Sequence, residues 1–210
     1  MSFELRKASL SDIPAIVDAF YDAFAEHPLT RRVLGSRWSA SGQAYWKTSL
    51  SDEIQDPNAH YLVIAESTST EGPERVLAFG KWRQPLTPTS PPPPTAPSWP
   101  EGADLALAEE FLGTVAKKHE EITKDRPHWY LEILGVRKEF QGRGLGKQLL
   151  RWGLTRADEA GVEAFLAASP AGVPLYAKNG FDLIEAILLS DEKRVESFML
   201  RQPQKPQIQS

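Results

Sequence analysis

The stretch HWYLEILGVRKEFQGRGLGKQLLRW, His128 to Trp152, joins two different patterns. Its first nine residues are almost continuously apolar, the composition of a strand buried on both faces at the middle of a sheet. Gly142, Gly144 and Gly146 then alternate with other residues, and an amphipathic helical pattern begins. Glycines at the start of a helix bring free backbone N–H groups close to a ligand at the positive end of the helix dipole. An anion, above all a diphosphate, suits such a place. A glycine-rich turn that merely packs tightly is the alternative.

Two familiar phosphate motifs do not fit. A dinucleotide fingerprint counted from Gly142 and Gly144 puts its third glycine on Lys147, and counted from Gly144 and Gly146 puts it on Leu149. A P-loop aligned on Gly146 and Lys147 finds Gln141 at its first glycine and Gln148 at its magnesium-binding hydroxyl.

The surrounding chain alternates strand and helix patterns. Phe3 to Ala8 reads as a strand, and a helix follows to about Ala25 with Ser11 as its N-cap and Pro14 in its first turn. Pro28 breaks the pattern, and a second helix spans roughly Ser41 to Ile54. HYLVIAES and RVLAFGKWRQ read as two strands joined by the turn TSTEGPE. Eight prolines between Pro85 and Pro100 exclude helix and central strand there and leave an extended connector, with an SH3-type ligand as the alternative. A helix from about Asp104 to Ile122 comes next, and Gly161 ends the helix that the glycine loop opens. EAFLAAS is a further buried strand, VPLYAKN a short helix stopped by Gly180, and FDLIEAILL and ESFMLRQ close the sheet. Residues 1–201 read as a single mixed domain and 202–210 as a frayed tail.

The bulk numbers narrow the function. The chain of 210 residues has a net charge of −4, which lacks the basic face that nucleic acid requires. It contains no cysteine, so disulfides, thiolate metal sites and a cysteine nucleophile are excluded. Its four histidines are scattered without metal-ligand spacing, and no metal is expected. The N-terminus lacks a signal-peptide core and no apolar run approaches the ~18 residues of a membrane span, so the expected address is the cytoplasm.

LEILGVRKEFQGRGLGKQLL resembles the core motif of the GNAT superfamily of N-acetyltransferases. Val136 ends the apolar strand, and Gln141, Gly144 and Gly146 stand at the positions of Q/R-x-x-G-x-G/A. PLYAKNGF, Pro174 to Phe181, resembles the family's LYxKxGF segment and follows about thirty residues later. AFAEHPLTRRVLG and RADEAGVEAFLAASPAGVPLYAKNGF extend the likeness toward the puromycin N-acetyltransferase branch. Ala167 stands where that branch carries a glutamate, which argues for an acceptor other than puromycin itself.

The resemblance implies an α/β (α+β) fold: a mixed, mostly antiparallel twisted sheet of about seven strands, helices on both faces, and a V-shaped splay between two central strands. It implies acetyl-CoA as co-substrate and no metal. Pantetheine would pair with the main chain of Leu134, Gly135 and Val136. The pyrophosphate would sit on the loop Gln141, Gly142, Arg143, Gly144, Leu145, Gly146 and Lys147, with Ser169 replacing the asparagine that often touches pantetheine. Tyr176 would protonate the departing thiolate, and the backbone N–H of Leu134 or its neighbour would steady the oxyanion. Glu132, a charge inside an apolar strand, is the candidate base; pairing with an arginine across the sheet is the alternative reading. Phe24, His27, Glu132 and the helix at 104–123 would line the acceptor site. The expected acceptor is a small-molecule amine, with no nucleic acid or membrane partner, and the protein a monomer or homodimer. A protein or peptide acetyltransferase and a non-catalytic acyl-CoA sensor are the competing readings.

Overall fold

The computed structural model describes residues 3–66, 74–189 and 194–204. Seven strands form one sheet: β1 (Phe3–Lys7), β2 (Ala59–Glu66), β3 (Arg75–Arg83), β4 (His128–Val136), β5 (Glu163–Ala168), β6 (Asp182–Leu188) and β7 (Val195–Arg201). Their order is β1-β2-β3-β4-β5-β7-β6, and every neighbouring pair is antiparallel except β4 and β5. Five α-helices accompany them: α1 (Ile13–Ala23), α2 (Ala40–Gln55), α3 (Leu105–Thr123), α4 (Leu145–Ala160) and α5 (Val173–Ala177).

The sheet separates two apolar layers. On one face Leu149, Leu150 and Leu154 of α4 pack with Leu62, Leu77, Trp82, Leu131 and Leu166, and Tyr176 of α5 joins them. On the other face Ile16 and Ala19 of α1 and Trp46 and Leu50 of α2 pack on Tyr61, Val63, Val76 and Phe79. Val115 and Ile122 of α3 cover Phe165, Phe198 and Leu200 further along that face. The strands in the middle of the sheet are therefore apolar on both sides, as a continuous run such as HWYLEILGV requires.

The expected strands and helices match the observed ones within a few residues. The N-cap is a correction. A 3-10 turn, Leu10–Asp12, with Ser9 as its N-cap, precedes α1, and Asp12 rather than Ser11 is the N-cap of α1. The Ser9 N–H and hydroxyl both donate to the Asp12 carboxylate, at 2.7 and 2.8 Å. Arg6 holds the same carboxylate from β1, and its bonds bring the Asp12 pKa down to about 2. A short-range cap thus lost to a residue anchored by a neighbouring strand. After Pro28 the chain also forms a π-helical turn, Leu29–Leu34. The turn expected between β2 and β3 and the tail beyond 204 fall outside the described residues, apart from Glu74.

From Gln84 to Asp104 the chain forms neither helix nor strand, in keeping with its prolines. It is nonetheless attached. Asn58 Nδ2 donates to the Pro91 carbonyl at 2.9 Å, and Trp99 stacks on Tyr45 with ring centroids 5.4 Å apart. The connector delivers the chain to α3, whose N-cap Asp104 accepts from the Leu107 N–H at 3.1 Å.

Gly153 shows how tightly α4 meets the sheet. A Cβ there would fall 2.2 Å from the Trp82 ring, which is itself buried and donates from Nε1 to the Leu149 carbonyl at 3.1 Å. Gly153→Ala is expected to cost about 1–3 kcal/mol by overpacking, read as a lower urea midpoint with an unchanged slope.

Candidate active site

The parallel ladder between β4 and β5 is short. Residues His128, Trp129, Tyr130 and Leu131 pair with Glu163, Ala164, Phe165 and Leu166, and the pairing then stops. Beyond it β4 continues from Glu132 to Val136, bonded to β3 on one side only. The register between β3 and β4 also slips here: Trp82 faces Leu131 and Lys81 faces Ile133, so Glu132 is the extra residue of a bulge. The bulge turns Gly135 toward α1. A Cβ on Gly135 would meet the Phe79 ring at 2.5 Å and the Phe24 ring at 3.0 Å, so only glycine fits.

The glycine loop opens beside this gap. Gly142 and Gly144 have φ of 75° and 85°, a left-handed backbone that side chains disfavour. Gly144 is the N-cap of α4, and the first-turn amides of Leu145, Gly146 and Lys147 have no intrahelical acceptor. Gly146 lies against β4 and α5: a Cβ there would stand 3.3 Å from Leu134 and 3.5 Å from Leu175 and Val136. Gln141 Nε2 donates to the Val136 carbonyl at 3.1 Å, tying the loop to the end of the strand. The Arg143 guanidinium lies 5.0 Å from the centre of the Phe140 ring. Loop, helix end and free strand edge thus meet at one place, where they can hold an extended ligand with an anionic end.

Ser169 follows β5 directly, and its carbonyl accepts from the N–H groups of Gly172 and Val173 at the start of α5. Tyr176, one turn on, is buried against Phe181. Burial, and then the charge of Glu196, push its hydroxyl well above the ordinary tyrosine value, so it keeps its proton throughout the neutral range.

Glu132 lies among charges on the opposite face of the sheet from α4. Lys81 Nζ is 2.5 Å from one of its oxygens, and Arg83 Nε donates to the other at 2.7 Å. Lys81 also faces Glu53 at 3.2 Å, and Arg83 holds Asp56 at 2.7 Å. The cross-sheet pairing that the sequence left open is therefore present, with two cations rather than one.

His27 and Phe24 come together as expected, with ring centroids 6.4 Å apart, and Phe111 of α3 joins them 5.8 Å from His27. Arg194 lies over Phe111 at 4.7 Å, with Nη1 2.5 Å from His27 Nε2. Phe111, Arg194 and Glu196 carry no motif, and only the folding of α3 and β7 across this face brings them near the gap. His119 and His128, separate in sequence, meet with their Nε2 atoms 2.6 Å apart. Among the described residues no group of three potential metal ligands assembles.

Burial, with the Arg194 charge adding to it, lowers the His27 pKa from 6.5 to about 4. The folded protein therefore refuses a proton that the unfolded chain accepts, and His27 favours folding above pH 6.5 and loses that contribution as pH falls toward 4. In an NMR titration the His27 ring signals should stay at their neutral positions until the pH nears 4.

Comparisons with known proteins agree with this geometry. A mycothiol acetyltransferase from Propionibacterium freudenreichii is 32% identical over 96 residues, 42% of this chain, which spans only 31% of that relative's length. An acetyltransferase from Stachybotrys chartarum is 25% identical over 94% of this chain and 88% of its own. The crystal structure of histone acetyltransferase HPA2 and related acetyltransferase from Corynebacterium glutamicum superposes with a TM-score of 0.61 at 24% identity, covering 99% of this chain and 100% of the other. The paiA N-acetyltransferase of Thermoplasma acidophilum, in complex with coenzyme A, gives 0.56 at 15% identity over 96% and 99%. The model of the acetyltransferase (GNAT) family matches residues 28–181, and the chain belongs to that family.

Proposed function

We propose that this protein transfers acetyl from acetyl-CoA to the amine of a small molecule by direct attack in a ternary complex. The observation that carries the reading is the coincidence of three features at one point. The β4–β5 ladder stops, the free edge of β4 runs on to Val136, and the glycine N-terminus of α4 opens beside it. Unpaired main-chain groups at a sheet interior are costly unless a ligand takes them, and the amides of an extended pantetheine would serve as their partners. Leu134, Gly135 and Val136 would hold that arm. The loop Gln141 to Lys147 would take the pyrophosphate, with Ser169 across the gap.

The acceptor side supports a small amine. Phe111 of α3 and Arg194 close over His27, which narrows the face where an open peptide groove would need to run. Glu132 takes part through its charge, drawing an ammonium group toward the gap while Lys81 and Arg83 keep it in place. The likeness to the puromycin N-acetyltransferase branch belongs to the same reading, with Ala167 favouring a different acceptor. Nucleic acid and membrane have no part in it. No helix among the described residues is long and apolar enough to cross a membrane.

Tyr176 acts as the acid. As the carbon–sulfur bond breaks, the thiolate takes the phenolic proton. Tyr176→Phe is expected to lower kcat by ~10²-fold with little change in acetyl-CoA affinity. The direct assay is thiol release from acetyl-CoA with a thiol-reactive dye, across puromycin, polyamines, arylalkylamines and amino acids. The chain has no cysteine of its own to react with the dye. Release with one amine class supports the reading. Calorimetric binding of acetyl-CoA without release from any amine would overturn the small-molecule acceptor.

A further inference from the structure

We infer that Glu196, a residue no motif singles out, is the base that takes the proton from the attacking amine. The inference rests on the acetyltransferase reading above and moves the base's part away from Glu132.

The register locates Glu196. β5 ends at Ala168, which pairs with Ser197 of β7, so Glu196 lies one step beyond the end of β5. β5 runs parallel to β4 with Leu166 beside Leu131, which sets Ser169, the next residue along, near the level of Ile133 and Leu134. Glu196 therefore stands at the same end of the sheet as the gap. Alternation places its side chain with Phe198 and Leu200 on the face that α3 covers, the face that also carries Tyr130 and Glu132.

Its surroundings differ from those of Glu132. Glu196 is only 4% exposed, and its Oε2, like that of Glu132, has no hydrogen-bond partner among the described residues; Glu132 stands against Lys81 and Arg83 at 2.5 and 2.7 Å, whereas the cation acting on Glu196 is Arg194. Burial raises a carboxyl's affinity for its proton, and a nearby cation lowers it. Burial raises the Glu196 pKa from 4.5 to about 7, offset in part by Arg194. The charged and titratable groups around it are Tyr130 of β4, Tyr176 of α5 and Arg194 at the start of β7. On the adjoining β6, Glu185 is taken by Lys118 of α3 at 3.1 Å. The match to neutral pH is what a general base requires.

The step balances. A neutral amine forms the N–C bond to the thioester carbon and gives one proton to Glu196. The C–S bond breaks, and the thiolate takes the proton of Tyr176. Glu196 then gives its proton to solvent and the Tyr176 phenolate takes one up, which restores both groups. The products are the amide and CoA thiol, with no oxidant, metal or net proton needed.

The test compares wild type, Glu196→Gln and Glu132→Gln by thiol release with phenethylamine and with spermidine between pH 5.5 and 9. Wild-type kcat/KM should rise through a step centred near pH 7. Glu196→Gln should lose that step and fall ~10²-fold at pH 8, while Glu132→Gln keeps the step. A second readout needs no acceptor. Ionising a buried carboxyl disfavours the fold as pH rises through its raised pKa, so the Tm of Glu196→Gln relative to wild type should be higher at pH 8 than at pH 5. A wild-type profile in Glu196→Gln, loss of the step in Glu132→Gln, or a pH-independent Tm difference overturns the inference. A wild type that binds acetyl-CoA and releases no thiol with these or any other amine of the panel overturns the small-molecule acceptor, and the Tm comparison then decides by itself whether Glu196 is the carboxyl that titrates near neutral pH.

Discussion

The interaction on which the site depends is one that is withheld. Four residues of β4 pair with four of β5, and the next five residues of β4 have a strand on one side only. Backbone N–H and C=O groups in a sheet interior normally find partners, so a free edge between two central strands needs something to fill it. Elements nearby keep the gap from collapsing. The bulge at Glu132 bends β4, Phe79 and Phe24 close on Gly135 from the α1 side, and Gly146 brings the end of α4 against Leu134 from the other. The glycine-rich N-terminal end of α4 and the open strand edge are thereby held in one fixed relation.

The two faces of the sheet divide the chemistry. The α4 side is apolar up to the glycine loop, which contributes main-chain donors. The opposite side carries charge: Lys81, Arg83, Glu53, Asp56 and Glu132 form a partly buried network, and burial raises the Glu53 pKa. Removing one member of such a network leaves its partners uncompensated, which is costlier than the network's net worth. Tyr176 lies in the α4 layer and Glu196 on the side that α3 covers, both past the end of β5.

The proline-rich connector shows how a segment without secondary structure can still position a functional element. Two fastenings, Asn58 to Pro91 and Trp99 on Tyr45, route the chain from β3 to the start of α3. Arg32 then bonds Asp104 across the two segments at 2.5 Å, and Val33 packs against Leu107 and Ala108. Phe111 reaches His27 as a result.

Much of this was legible in the residues themselves. The continuous apolar run of β4, the alternating glycines before an amphipathic pattern and the prolines between Pro85 and Pro100 are local instructions, because strand burial, left-handed turns and a missing N–H act within a few residues. The strand and helix assignments follow from them. The cap of α1 did not, because Arg6 of β1 holds Asp12, which is the N-cap of α1. Nor did the environments of the two glutamates. Glu132 and Glu196 are the same side chain in similar apolar strands; β3 brings Lys81 and Arg83 against the first, whereas the second is buried with Arg194 as the cation acting on it. A carboxylate's affinity for a proton depends on the charges and solvent around it in space, and only the paired sheet brings those groups together.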